Sequence, residues 1–158
     1  MRVALITISD SAAQGSRPDK SGPALAERCG KLGWDIVSAE ILPDDREKIE
    51  KRLAALGDSS SADLILTTGG TGIGPRDSTP EATAAICSKL VPGIGEVMRE
   101  KGRHGNPRAV LSRAVAGIRG RSLIVNVPGS PRGAVESLDA VAEILPHAVE
   151  VLRGARHD

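Results

Sequence analysis

The sequence predicts an α/β fold built on a mostly parallel sheet with helices on both faces, and three observations lead there. Short apolar runs alternate with segments of helical period along the chain. The run Val3–Ile8 is apolar on both faces, as a central parallel strand is. The runs also end in loops rich in Gly, Ser, Asp and Pro that lead into helix starts, the usual punctuation of strand-loop-helix units.

Taken in order, Val3–Ile8 gives way to a polar loop, Ser9–Lys20. A helix begins near Ser21-Gly22-Pro23, with Leu25, Cys29 and Leu32 on one face, and Gly30 to Gly33 ends it. Asp35–Leu42 alternates only partly, which suits a strand near the sheet edge, and Pro43-Asp44-Asp45 closes it. The next helix carries Ile49, Leu53 and Leu56, and Gly57 to Ser61 terminates it. Ala62–Leu66 is a buried strand, after which a glycine-rich stretch runs to a helix start with Thr79 at N-cap and Pro80 at N1.

That helix shows Ala82, Ala85 and Ile86 and breaks at Pro92-Gly93; a short second piece spans Ile94–Lys101. The basic stretch Gly102–Arg108 reads as a solvated loop, and Ala109–Ala116 fits either helix or irregular structure. Gly117–Arg121 reads as a turn into the strand Ser122–Val127, where an antiparallel edge pairing is expected. The last helix lines up Leu138, Val141, Leu145, Val149 and Leu152, and Pro146 predicts a kink or break within it.

At 158 residues, with 40% hydrophobic and 26% charged, the chain is expected to form one domain over residues 1–158 around a single core. A net charge of +1, with Trp34 as the only aromatic, argues against a nucleic-acid surface built on basic stripes and stacking. No apolar run approaches the ~20 residues of a membrane span, and Met1-Arg2 leads straight into a strand; the expected location is cytoplasmic, with no membrane contact. Cys29 and Cys87 lack CxxC spacing and are expected as reduced, mostly buried thiols. His104, His147 and His157 lie far apart, so no metal or catalytic role is assigned to them.

Ligands of open parallel sheets bind beyond the carboxyl ends of the strands, and the loops there hold the candidate residues. The central stretch runs Thr67-Thr68-Gly69-Gly70-Thr71-Gly72-Ile73-Gly74-Pro75-Arg76-Asp77-Ser78-Thr79-Pro80. Its glycines and hydroxyls allow backbone N–H groups to cradle an anion at the following helix's positive end, while a sharp strand-to-helix turn is the plainer explanation of the glycines alone. It carries neither the P-loop Gly-Lys-Ser/Thr nor the dinucleotide spacing. A second loop, Pro128-Gly129-Ser130-Pro131, also runs into a helix and makes a second anion site on the same rim.

A carboxylate beside a phosphate loop repels phosphate unless a cation stands between them. Asp77 is such a carboxylate, and Thr79, or Ser78 with Glu81, leaves it unneeded as a cap. Together with Asp44 from the neighbouring strand end it is a candidate for Mg²⁺, an ion that joins one or two carboxylates to substrate phosphates. Asp10 and Asp45 fit helix or turn caps as well as a site. Arg76 and Arg132 are the cations beside the two loops. No Gly-x-Ser-x-Gly elbow, Cys–His pair or rim histidine is present, which disfavours a side-chain nucleophile. Phosphoryl or nucleotidyl transfer to an ionised acceptor needs no general base, only positioning and charge neutralisation.

Thr67-Thr68-Gly69-Gly70-Thr71-Gly72 with Arg76-Asp77-Ser78-Thr79-Pro80-Glu81-Ala82 resembles the signature of the molybdenum-cofactor biosynthesis family, in its Mog-type molybdopterin adenylyltransferase branch. The likeness runs on through Ser9-Asp10, Asp19-Lys20-Ser21-Gly22, Leu42-Pro43-Asp44, Gly93-Ile94-Gly95-Glu96, Leu111-Ser112-Arg113 and Asn126-Val127-Pro128-Gly129-Ser130. It implies a three-layer α/β/α sandwich that assembles as a homotrimer and transfers AMP from Mg-ATP to the terminal phosphate of molybdopterin, releasing pyrophosphate. By the same resemblance Asp44 and Asp77 are the two functional acids, and Thr68, Gly69, Gly70, Thr71 and Gly72 with Gly129 and Ser130 hold pterin and nucleotide phosphate. Other molybdenum-cofactor biosynthesis proteins are implied as partners. The MoaB-type paralogues share this signature, and the related domain of gephyrin gives the alternative of a non-catalytic pterin-binding or scaffolding trimer. With Trp34 placed before the second strand, aliphatic walls are expected around adenine.

Overall fold

A computed structural model describes residues 1–155; His157 lies outside the described residues. Strand β1 spans Arg2–Ile8, followed by helices α1 (Asp10–Ala13) and α2 (Ser21–Lys31), strand β2 (Asp35–Leu42), helix α3 (Arg46–Ser59) and strand β3 (Leu64–Thr68). Then come α4 (Thr79–Ile86), β4 (Lys89–Leu90), α5 (Pro92–Gly105), a 3-10 turn at Pro107–Leu111, β5 (Ala116–Arg119), β6 (Ser122–Val127), α6 (Pro131–Val141) and α7 (Leu145–Leu152). The strands form one sheet in the order β2-β1-β3-β6-β5-β4. The ladders β1–β2, β1–β3 and β3–β6 are parallel, whereas β4–β5 and β5–β6 are antiparallel.

Side chains alternate across the strands and so sort the core into two layers. Val3, Leu5, Leu64, Leu66, Leu123 and Val125 pack against Leu25 of α2, Met98 of α5, Leu138 of α6 and Leu145 of α7. Ala4, Ile6, Ile65 and Ile124 face the opposite way, onto Ile49 and Leu53 of α3 and Ala82 of α4. The result is a three-layer α/β/α sandwich. Trp34 joins the first layer, away from the carboxyl ends of the strands. Among the described residues no helix is long and apolar enough to cross a membrane.

Several local expectations change under tertiary contact. The polar loop after β1 contains the short helix α1, capped by Ser9, whose Oγ accepts from the Ala12 amide. Helix α3 continues through Gly57, because a Cβ there would stand 2.6 Å from Cγ of Arg119, so the glycine is a packing point rather than a stop. Helix α5 likewise runs past the expected Ile94–Lys101 in both directions; Gly95 lies beneath the Ala114 carbonyl, 2.7 Å from where its Cβ would be. Most of the expected turn at Gly117–Arg121 belongs to strand β5, and the turn is confined to Gly120, at φ 57°, and Arg121. The last helix is split: the Pro146 ring excludes the carbonyl four residues back at Ala142, so α6 ends at Val141 and α7 restarts with Pro146 in its first turn.

Burial raises both thiols, to about 11 for Cys29 and about 11 for Cys87, and both are free. His104 sits in α5 beside Glu100, and His147 in α7 beside Glu150.

Candidate functional site

Parallel strands place their carboxyl ends on one rim, so the loops after β1, β2, β3 and β6 meet there. The β3 loop begins with Gly69 at φ 104° and Gly70 at φ 65°. A Cβ on Gly69 would stand 2.2 Å from the Ile8 carbonyl oxygen, and one on Gly129 would stand 3.2 Å from Cα of Gly69. Backbone therefore lies directly on backbone where the loops of β1, β3 and β6 touch. The Gly69 amide donates to the Val127 carbonyl at 3.2 Å, and the Thr68 hydroxyl donates to the Pro128 carbonyl at 2.7 Å.

Thr79 does not cap α4: its hydroxyl is buried and donates to the Gly69 carbonyl at 2.9 Å. Ser78 holds the N-cap position without a side-chain bond, and Glu81 pairs with Arg113 rather than closing a capping box. Among the described residues the amides of Gly70, Thr71 and Gly72 donate to no protein acceptor, which leaves successive N–H groups for an anion. Ser130 caps α6, its Oγ accepting from the Gly133 amide at 3.2 Å.

Behind these loops lies a buried polar lock. Asn126 donates from Nδ2 to the hydroxyls of Thr67 and Thr83, both at 2.9 Å, and accepts from the Val115 amide at 3.3 Å. It ties the ends of β3 and β6 to α4, so the two loops share one rigid base.

The acids are arranged across the rim. Asp44 accepts from the Asp10 amide at 2.9 Å, and Asp10 accepts from the Asp44 amide at 3.0 Å, a reciprocal pair joining the loops of β1 and β2. Burial pushes the Asp44 carboxyl above the usual carboxylate value; the charges of Asp10 and Asp77 push the same way, against the Asp10 amide and Arg76. Asp10 goes down instead, chiefly through its hydrogen bonds from Arg76. Asp77 turns one oxygen into its own loop, accepting from the Gly74 amide at 2.9 Å. Cβ atoms on Gly72 and Gly74 would each stand 2.9 Å from that oxygen, so the carboxylate occupies the space that a side chain at either position would need.

Two cavities open along this rim. One, of about 390 Å³, is walled by Thr71, Gly72, Arg99, Arg108 and Ser112, with Met98, Leu111 and Ala114 as apolar surface. The other, of about 580 Å³, is walled by Ser9, Ser11, Arg17, Lys20, Asp44 and Thr68. Gly70, Asp77, Gly129 and Ser130 line both. Each volume falls in the ~300–1,000 Å³ range of small-molecule sites. Two ligands can therefore meet over the residues that the sequence nominated as anion loops. No histidine lines either cavity among the described residues.

The predicted residues divide. Asp44, Asp77, Thr68, Gly69, Gly70, Thr71, Gly72, Gly129 and Ser130 all line one cavity or both. Arg76 is held by a bidentate bond to Asp10, both distances 3.0 Å, and Arg132 lies 83% exposed beside Glu136, outside both linings. Asp45 takes the ordinary role, capping α3 through the Lys48 amide. Arg108, read as part of a solvated loop, faces the first cavity. Asp19, Arg113 and Asn126 carry no expected role, although each lies within a stretch that bears the family resemblance. Asp19 accepts from the Thr7 hydroxyl at 2.7 Å and the Gly22 amide at 3.0 Å, fixing the start of α2 on the end of β1.

Only hard oxygen donors come from Asp44 and Asp77, and no group of three or more metal-binding side chains is found among the described residues. Asp44 and Asp77 on one cavity fit an ion that completes its shell with phosphate oxygens and water, as Mg²⁺ does.

Comparison with known proteins gives a consistent result. A family described as a probable molybdopterin binding domain matches residues 4–147. The molybdopterin adenylyltransferase of Helicobacter pylori is 41% identical over 156 residues, covering 98% of this chain and 89% of the relative. The structure of the molybdopterin biosynthesis enzyme MoaB from Thermus thermophilus superposes with a TM-score of 0.91 at 45% identity, covering 99% of both chains. That of the Mog protein from Mycobacterium ulcerans gives 0.88 at 37%, covering 95% of this chain and 97% of the other.

Proposed function

The chain belongs to the probable molybdopterin binding domain family, and on that premise we propose that it is a molybdopterin adenylyltransferase of molybdenum-cofactor biosynthesis, its whole length forming one such domain. An oxygen of the terminal phosphate of molybdopterin attacks the α-phosphorus of ATP. The bond from that phosphorus to the β-bridging oxygen breaks, and adenylyl-molybdopterin and pyrophosphate result. The observation that carries this reading is the pair of cavities sharing Gly70, Asp77, Gly129 and Ser130. Two phosphate-bearing substrates entering from opposite sides would bring their phosphates together at that shared floor.

The protein's part is positioning and charge. The amides of Gly70, Thr71 and Gly72 hold phosphate oxygens, and the N-terminus of α6 faces the same point through Ser130. An acceptor phosphate is already ionised near neutral pH, which agrees with cavities that no histidine lines among the described residues. Asp44 and Asp77 would hold Mg²⁺ with the triphosphate, where the ion supplies neutralisation of the charge developing on the phosphorus oxygens. Arg17, Lys20 and Arg108 line the cavities as further cations. With Trp34 in the core, Met98, Leu111 and Ala114 offer the apolar wall for a ring.

The test is pyrophosphate release by purified protein given molybdopterin, ATP and Mg²⁺. Asp44→Asn and Asp77→Asn should each lower turnover by on the order of 10²–10³, the scale of losing one electrostatic contact to the reacting centre. A folded protein that releases no pyrophosphate, or an Asp77→Asn variant equal to wild type, would sink the assignment. The alternative is a pterin-binding or scaffolding trimer without turnover. Pterin binding with no pyrophosphate selects it. A homotrimer in the cytoplasm, working with other molybdenum-cofactor biosynthesis proteins, completes the proposal, and sedimentation equilibrium checks the trimer.

A further inference from the structure

One side chain from a distant part of the chain closes the glycine loop. Arg113 lies between the 3-10 turn at Pro107–Leu111 and β5, next to Ser112 and Ala114, which line the first cavity. Its Nε donates to the Gly72 carbonyl at 2.7 Å and its Nη2 to the Asp77 carbonyl at 3.1 Å. The same guanidinium pairs with the Glu81 carboxylate in the first turn of α4, and the Arg113 amide donates to the Thr71 carbonyl at 2.8 Å. Both ends of the segment from Gly72 to Asp77, and the helix that follows, therefore converge on one planar fork. Inside that segment the Asp77 amide donates to the Gly74 carbonyl at 3.1 Å while its carboxylate accepts from the Gly74 amide. The direction of the carboxylate is thus set by how the loop closes.

We propose that Arg113 is a positioning residue that fixes Asp77 at the junction of the two cavities by clamping both ends of its loop. This rests on the adenylyltransferase reading for its effect on turnover, but the clamp itself does not. A lysine keeps the charge and cannot span both carbonyls and the carboxylate at once, because an ammonium is a compact point donor rather than a fork. Contact with substrate is not required for a large effect, since a displacement of about 1 Å can cost on the order of a hundredfold in rate.

The experiment combines two measurements on Arg113→Lys. In ligand-free protein, hydrogen exchange at the Gly74 and Asp77 amides should quicken by on the order of tenfold or more, while core amides of β1 and β3 stay as in wild type. In turnover, kcat should fall between about tenfold and a hundredfold with little change in the KM for molybdopterin, and adding Asp77→Asn should cost no more than Asp77→Asn alone. Unchanged exchange at Gly74 overturns the clamp. Losses that multiply with Asp77→Asn, or an Arg113→Lys enzyme as fast as wild type, overturn its action through Asp77. A wild type that releases no pyrophosphate defeats the functional reading, while exchange still decides the clamp. Should Arg113→Lys fail to fold, Glu81→Gln, which keeps an acceptor but removes the charge, should quicken Gly74 exchange in the same direction by a smaller factor; no change there overturns the clamp as well.

Discussion

Gly15 and Gly69 both hold a positive φ, 76° and 104°, but differ in the space around them. Nothing lies within 4 Å of a Cβ placed on Gly15, whereas one on Gly69 meets the Ile8 carbonyl. Gly15→Ala should therefore cost only the backbone term, about 1–2 kcal/mol. Gly69→Ala should cost more than that and also move the β1, β3 and β6 loops apart, because the obstructing atom is backbone and cannot rotate away. Urea denaturation and pyrophosphate release on both variants separate the two effects: Gly15→Ala keeps turnover and Gly69→Ala loses it. Equal loss of stability in the two would contradict this account of the loop contact. The cations show the same dependence on surroundings. Arg76 and Arg132 flank glycine loops in sequence, yet Arg76 is directed to Asp10 and Arg132 to Glu136, and neither lines a cavity.

At the scale of elements, the joint between β3, β6 and α4 carries the site. Asn126 is fully buried and satisfies the Thr67 and Thr83 hydroxyls and the Val115 amide together. Asn126→Leu nearly conserves volume but leaves those groups without their partner, at about 1–3 kcal/mol for each buried group left unsatisfied. Urea midpoints should fall accordingly, and turnover should fall with them because both anion loops stand on this joint. A variant as stable as wild type would mean that water replaces the amide. Strands with a one-element signal were readable in advance: Asp35–Leu42 and Ser122–Val127 have the expected limits. β4, of two residues, and β5 were not, since a strand this short is defined by its partner rather than by its own period.

Across the whole molecule, the candidate site and the closing ion pairs occupy opposite ends of the sheet. Asp63, just before β3, has a side chain only 6% exposed and accepts from the Arg2 amide at 2.8 Å and side chain at 2.8 Å. Arg153, just after α7, pairs with the same carboxylate and so fastens the far end of the described chain to its start. Burial pushes this carboxyl upward, but the hydrogen bonds from Arg2 and the charges of Arg153 and Arg2 prevail and hold it below the usual value. A depressed folded-state value means a contribution to stability that is present above the unfolded value, about 3.9, and lost as pH falls through the folded one. Asp63→Asn should lower stability at neutral pH by about 1–3 kcal/mol. It should also show a shallower loss than wild type as pH drops below about 4. Thermal unfolding between neutral and acid pH measures both, and parallel curves for the two proteins would remove Asp63 from the acid transition.

By itself the sequence determined the alternation of buried strands and helices, and hence the parallel sheet, its rim and the loops on it. These follow from local periodicity and glycine and proline chemistry, which act over a few residues. Asp44, Asp77 and the glycines were legible for that reason: a strand end and a helix start mark their positions without reference to any other part of the chain. Only the tertiary structure decided which charges face the rim, that the floor is shared by two cavities, and that Arg113 holds a loop some forty residues earlier. Such contacts join segments far apart in sequence, and their partners are chosen by packing and by competition among carboxylates, which no local pattern records.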